Sequence, residues 1–305
     1  MRRCALLAVV GMASLSACHG PQVPRYLPYR HETYTLAGGT ITVDITVPRA
    51  VKGRKPAVIG NFGARQTLLD AGAVLVSFEY EPKTDPAAAS AAPEGAAGSW
   101  VLRAESPAVI GRGYLQTIAA RAEALVRVVD LVATRPEVDP TRIAVVGAST
   151  NGFAALQAAA RDHRIAAVVL LLTCGDYHAF LRESWLGMKG KPLALDPGYE
   201  RWIEEQEIVR HPERLLPVKV LLVSRTGDQT IPVSCADATA RALAPVYARA
   251  GFPERFEYIR RDVEGHGVEQ AERIDALMWL NRWVLERPDP VWNEPGPPAA
   301  TGALQ

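Results

Sequence analysis

Three side chains can do chemistry together. Ser149 stands in VVGASTNGF, at the C-terminal end of an apolar run and at the start of a small-residue helical stretch. Asp228 stands in TGDQTIP, directly after the run KVLLVSR. His266 stands in EGHGV, between two glycines, after the last strand-like segment and before the last helical one. A serine hydroxyl is a weak nucleophile until a base removes its proton, and an imidazole within hydrogen-bond reach is the usual base. A carboxylate on the far ring nitrogen fixes the tautomer and stabilises the imidazolium. Ser149 would then attack a carbonyl, His266 would carry the proton to the leaving group, and Asp228 would hold His266. Taken singly each residue has a plainer reading: Ser149 as a small turn residue, Asp228 as a turn residue or helix N-cap, His266 as a loop histidine. The other five histidines, at 19, 31, 163, 178 and 211, lack this setting.

The local pattern approaches G-x-S-x-G, in which a serine sits on a sharp strand-to-helix turn. Gly147 and Ser149 fit. The second glycine position holds Asn151, and Gly152 follows one residue late. Asparagine tolerates unusual turn conformations better than most residues, and Gly152 would supply part of the missing room. An acyl transfer also needs backbone N–H donors for the oxyanion. Thr150, directly after the serine, is one expected donor. Phe62, in the Gly60-Asn61-Phe62-Gly63 turn, is the other.

These residues need a frame that brings strand ends together. PAVIGNF, AVLVSFEY, RIAVVGA, AAVVLLLT and KVLLVSR are near-continuous apolar runs, as strands buried on both faces require. TITVDITV alternates and predicts an antiparallel strand, and RFEYIR a more polar one near an edge. Between them, Leu115, Ile118, Ala122, Leu125, Val129 and Val132 recur at helical spacing, and a second stripe runs through 268–285. Strands alternating with helices predict an α/β fold with a mostly parallel sheet covered on both faces. Ligands in such sheets bind at the C-terminal strand ends, where all three candidate residues fall.

Two stretches break the rhythm. Residues 81–111 form an Ala/Pro/Gly-rich loop, and 178–217 form an insert too long for a simple crossover, read as a small cap with a helix near 198–210. Trp185, Tyr199, Trp202 and Leu181 of the insert, with Trp100 and Val101 of the loop, are expected to wall the site for small or medium apolar acyl groups. The competing reading has these aromatics packing the core of the cap itself.

The order Ser149, Asp228, His266 is the chain order of the triad in α/β-hydrolases. Over residues 32–286 the sequence resembles their dienelactone-hydrolase and prolyl-oligopeptidase-like branch, on PEVDPTRIAVVGAS before the turn and on GAST within it. PAVIGNFG followed by AGAVLVSFEY is similar to acyl-CoA thioesterases of the bile-acid-conjugating type. The resemblance implies a serine hydrolase of carboxylic esters or thioesters acting through an acyl-enzyme. The alternatives are a hydrolase-fold protein that binds without catalysis, and an acyltransferase using the same triad.

The N-terminus reads as an address. Arg2 and Arg3 precede an apolar stretch too short to span a bilayer, and Leu15-Ser16-Ala17-Cys18 resembles the lipobox of bacterial lipoproteins. The expected organisation is a signal peptide at 1–17 and a lipidated Cys18 with a proline-rich tether at 18–31. The catalytic domain follows at 32–287, and a disordered tail at 288–305. The location implied is the outer membrane, facing the periplasm. Of the remaining cysteines, Cys174 and Cys235 could pair in an oxidising compartment; buried thiols are the reading taken.

The 305 residues carry 34 basic and 33 acidic side chains, a net charge of +1, which gives no field for nucleic acid or anionic lipid. No glycine-rich phosphate loop or His/Cys ligand cluster is present, so neither metal nor cofactor is expected. The partner expected is a small-molecule ester or thioester, the membrane being touched only through the anchor. Oligomeric state is not legible.

Overall fold

The computed structural model describes residues 29–37, 40–49, 52–60, 62–80, 107–184 and 197–285. The signal peptide, Cys18, most of the tether, the C-terminal tail, Trp100, Val101 and Trp185 lie outside them.

Eight strands form one sheet, in the order β1-β2-β4-β3-β5-β6-β7-β8. They are β1 Tyr29–Leu36, β2 Ile41–Pro48, β3 Lys55–Ile59, β4 Val74–Tyr80, β5 Val138–Ala148, β6 Ile165–Leu171, β7 Lys219–Gly227 and β8 Phe256–Glu264. β2 runs antiparallel to β1 and β4, and every other neighbouring pair is parallel. The helices are α1 Arg65–Asp70, α2 Pro107–Ala133, α3 Thr150–Ala159, α4 Tyr177–Glu183, α5 Pro197–Gln206, α6 Val233–Arg249 and α7 Gln270–Leu280, with a π-helical turn at Asn281–Leu285.

The period of two along each strand sorts side chains between two cores. Val168 and Leu170 of β6 join the cluster under α2 to α6. Ala167, Val169 and Leu171, the alternate residues, join the cluster under α1 and α7. A strand with helices on both faces has no side to leave polar, which is why these runs are continuously apolar.

Two boundaries and one cysteine pairing differ from the sequence reading. β1 begins at Tyr29, so the last residues assigned to the tether belong to the sheet. Its side chains are mostly exposed, so no apolar period marks it. α2 begins at Pro107, inside the stretch read as a loop to 111. Cys174 and Cys235 form a disulfide rather than two thiols, their Cα atoms 5.7 Å apart across a separation of 61 residues. The turn after β6 and the first turn of α6 bring them together, and both are fully buried. Closing a loop of this length stabilises by about 2–4 kcal/mol through the unfolded chain. Replacing both cysteines by alanine is therefore expected to lower the melting temperature by on the order of 10 °C. An unchanged melting curve would show the bridge to be dispensable.

The described part of the insert is mostly core. Leu181 and Tyr199 are buried, and Trp202 stacks on Tyr199 at 5.6 Å between centroids. Leu181 and Tyr199 thus pack the insert, as the competing reading has it. Buried Glu207 joins its helices, accepting from the His178 backbone at 2.8 Å and Arg210 Nε at 2.9 Å, and pairing with His178 Nδ1 at 2.7 Å. Burial pushes the Glu207 carboxyl up, but the bonds from His178 and Arg210 outweigh it and hold it below the ordinary carboxylate range. The bond to Glu207 in turn raises His178, against partial burial. A raised histidine stabilises fully below its unfolded value and loses that contribution as pH rises through its folded one; a depressed carboxylate loses its own as pH falls. Stability conferred by this pair is thus expected to peak between about pH 4.5 and 6.5 and to fade above. Melting curves of wild type and His178→Ala should differ most near pH 5.5, with the gap narrowing as pH rises above 6.5; a gap that widens with pH would contradict this.

Candidate active site

β5 delivers its C-terminal end to α3 through Ser149, whose backbone has φ 52° and ψ −124°. A non-glycine residue there is strained and persists only when its surroundings over-determine it. Here the Ser149 amide donates to the Leu171 carbonyl at 2.9 Å, and its own carbonyl accepts from Gly152 and Phe153 at 2.8 and 3.1 Å. The backbone is held from both sides, and Oγ stands clear at the strand end.

His266 Nε2 lies 2.9 Å from Ser149 Oγ, and His266 Nδ1 lies 2.7 Å from Asp228 Oδ2. Asp228 directly follows β7, and its side chain is 1% exposed. Its other oxygen, Oδ1, accepts from the amides of Thr230 and Ile231 at 2.8 and 3.0 Å, which orients the carboxylate. The three candidate residues thus meet, although 117 residues separate the serine from the histidine.

The glycine question resolves in space. A Cβ on Gly147 would stand 2.3 Å from the Asn151 carbonyl oxygen, and one on Gly152 would stand 2.7 Å from Thr173 Cβ. Gly147 and Gly152 are therefore the positions that cannot carry a side chain. Asn151 points outward, its Oδ1 accepting from Arg121 at 2.9 Å. The late glycine does the packing, and the asparagine occupies a site with room for it.

Thr150 opens α3, so its amide is among the helix N-terminal donors without an intrahelical partner. The helix dipole favours negative charge at that end. Its hydroxyl pairs with Tyr114 at 2.9 Å, and Tyr114 stacks on Phe180 at 5.6 Å. Phe62 sits after β3, its side chain buried among the α1 and α7 core. Tyr114 and Arg121 escaped the sequence reading. Their signal is their spacing of seven on α2, which places both on the face turned to α3.

A cleft of about 150 Å³ borders the turn, lined by Ile59, Gly60, Phe78, Leu125, Ala148 and Asn151 among others. Its walls mix apolar side chains with Ser77, Asn151 and exposed backbone. Among the described residues no group of three or more His, Cys, Asp and Glu could hold a metal ion, and no helix is long and apolar enough to cross a membrane.

The arrangement can do nucleophilic acyl transfer: base, orienting carboxylate and helix N-terminal amide all converge on one hydroxyl. A family model described as "Glucuronyl esterase, fungi" matches residues 35–177. YtaP of Bacillus subtilis, whose name describes it as a hydrolase, is 26% identical over 155 residues. That match spans 51% of this chain and only 50% of YtaP. Among solved structures, the Thermus thermophilus protein TT1662 aligns with a TM-score of 0.59 at 21% identity, covering 85% of this chain and 99% of that one. Acetyl xylan esterase 1 of Thermoanaerobacterium aligns with a TM-score of 0.54 at 19% identity, covering 85% and 83%. At these identities the likeness is one of fold.

Proposed function

We propose that this chain, an α/β-hydrolase by fold, hydrolyses carboxylic esters through an acyl-enzyme on Ser149. The observation that carries the reading is the continuous hydrogen-bonded line from Ser149 Oγ through His266 to Asp228, with spacings of 2.9 and 2.7 Å. His266 Nε2 takes the hydroxyl proton as Oγ attacks the carbonyl carbon. The tetrahedral oxyanion is received by the Thr150 amide, with the Phe62 amide as second donor. Collapse expels the alcohol, which leaves with the proton held on His266. Water then repeats the sequence and frees the acid.

The similarity to glucuronyl esterases and to an acetyl xylan esterase supports oxygen esters over thioesters, and esters borne on carbohydrate. The cleft beside the turn supports a short acyl group by its size, since a cavity of about 150 Å³ holds a benzene-sized molecule. Measured kcat/KM on p-nitrophenyl esters from acetyl to palmitoyl, beside acetylated xylan oligosaccharides, tests this. A maximum at palmitoyl, or peptidase activity without esterase activity, would overturn it. A wild-type protein that no fluorophosphonate labels would point to a binding role instead.

The lipobox-like Leu15-Ser16-Ala17-Cys18 supports anchoring of the enzyme to the outer membrane through Cys18. Cys18→Ser is expected to move the protein from the membrane to the soluble fraction with kcat unchanged. Unaltered membrane retention would point to a different anchor.

A further inference from the structure

The loop that carries His266 packs against the core under α1 and α7 through Val268, beyond the histidine, while the glycines beside His266 lie in open space. A Cβ built on Gly265 or Gly267 would meet nothing within 4 Å, and Gly265 has φ 83°. One backbone bond ties the loop to β7, from the Gly265 amide to the Gly227 carbonyl at 3.4 Å. A histidine that must serve both a hydroxyl and a carboxylate needs firmer registration than this.

That registration comes from a buried charge. Arg225 is in β7, three residues before Asp228, and is 2% exposed. Its Nη1 donates to the Glu264 carbonyl at 3.3 Å and to Glu269 Oε1 at 3.2 Å, and its Nε donates to Glu272 Oε1 at 2.9 Å. Glu272 is fully buried. Its second oxygen accepts from the Glu269 amide at 3.0 Å, closing a capping box on α7. The acceptors thus flank His266: one at the end of β8, two at the start of α7.

We infer that Arg225, Glu272 and Glu269 are positioning residues that set the His266 loop against Asp228. Because Arg225 lies in β7 and Asp228 directly follows it, one strand end sets the carboxylate and the imidazole in common register. Burial pushes the Glu272 carboxyl up, but the bond from Arg225 and those from backbone amides outweigh it and hold the group below the ordinary carboxylate range. Glu269, the exposed member, links the fork to the loop side of the helix. The inference rests on the hydrolase reading for its consequence in turnover, while the loop geometry can be read without it.

Removing one partner of a buried pair strands the other charge, whereas replacing both by apolar residues can leave stability intact. The test is therefore the double variant Arg225→Met/Glu272→Leu, compared with wild type and with Glu269→Gln. In wild type the His266 Nδ1 proton, shared with Asp228, should give a downfield NMR signal. In the double variant that signal should vanish and the 264–269 amides should exchange at least tenfold faster. If fluorophosphonate labels wild type, kcat should fall about 10- to 100-fold with KM within twofold, and the acid limb of the pH–rate profile should move. Should the double variant not fold, Glu269→Gln decides, with a three- to tenfold faster exchange of the same amides at an unchanged melting temperature. A retained downfield signal and unchanged exchange in a folded variant would overturn the inference. Loss of the signal in a protein that is never labelled would uphold the clamp and overturn the hydrolase reading alone.

Discussion

Ser149→Ala and His266→Ala are each expected to lower kcat by about a million-fold, and the double variant to fall little further, because the two groups act as a unit. Oγ lies 2.9 Å from Nε2, and among the described residues neither atom has another hydrogen-bond partner. Asp228→Asn keeps the shape but offers an amide where the imidazole needs an acceptor, and its loss should be nearer ten-thousand-fold. The carboxylate oxygen that accepts from Thr230 and Ile231 means the asparagine can retain its turn, so the effect should lie in kcat and not in folding. Burst-phase and steady-state turnover of p-nitrophenyl acetate, with circular dichroism on each variant, measures both. More than a few per cent of wild-type kcat in Ser149→Ala would remove Ser149 from the reaction.

Gly60→Ala is expected to have the largest effect on folding of any single methyl addition at the site. Gly60 has φ 116°, which side-chain-bearing residues rarely adopt, and a Cβ there would stand 2.0 Å from the Val146 carbonyl oxygen. The obstacle is backbone in a central strand, so no rotamer relieves it. The Gly60 amide also donates to the Val76 carbonyl at 2.8 Å, which ties the turn between β4 and β5. Overpacking of this kind with added backbone strain costs on the order of 4 kcal/mol or more. Soluble yield and urea unfolding should both fall sharply. A variant as stable as wild type would show that the turn can shift, and its kcat would then tell whether the Phe62 amide moved with it.

Much of this frame is legible in the residues. VVLLL and VLLV read as strands with two covered faces, and the position of Ser149, Asp228 and His266 directly after strand-like segments brings all three to one end of a parallel sheet. The strand β1 was not legible, because YRHETYTL owes its conformation to eight pairings with β2 and to no apolar period of its own. The role of Gly152 was half legible: the chain shows a glycine one place late, and only space shows that Thr173, not the serine, is what it must clear. Arg225 escaped because it closes an apolar run, KVLLVSR, where it reads as the strand's polar end. A charge at the end of a doubly covered strand is in fact the sign of a hidden partner. That partner, Glu272, lies 47 residues on, a pairing no local pattern discloses.

The two outermost strands bear on how the protein behaves in concentrated solution. Among the described residues β1 and β8 have no strand partner along their outer sides, the feature by which sheets recruit further chains. Both are studded with charge: Arg30 and Glu32 on one, Glu257, Arg260, Arg261, Asp262 and Glu264 on the other. A second molecule docking edge to edge would have to desolvate these groups, so the sheet resists growing into aggregates. The inner neighbour of β1 has no such guard, for β2 reads ITVDITVP with most of its side chains buried. A chain trimmed past Leu36 would uncover an apolar, β-branched rim and turn a guarded margin into a template for self-association. The charged strand at Tyr29–Leu36 is thus the margin that keeps the sheet finite.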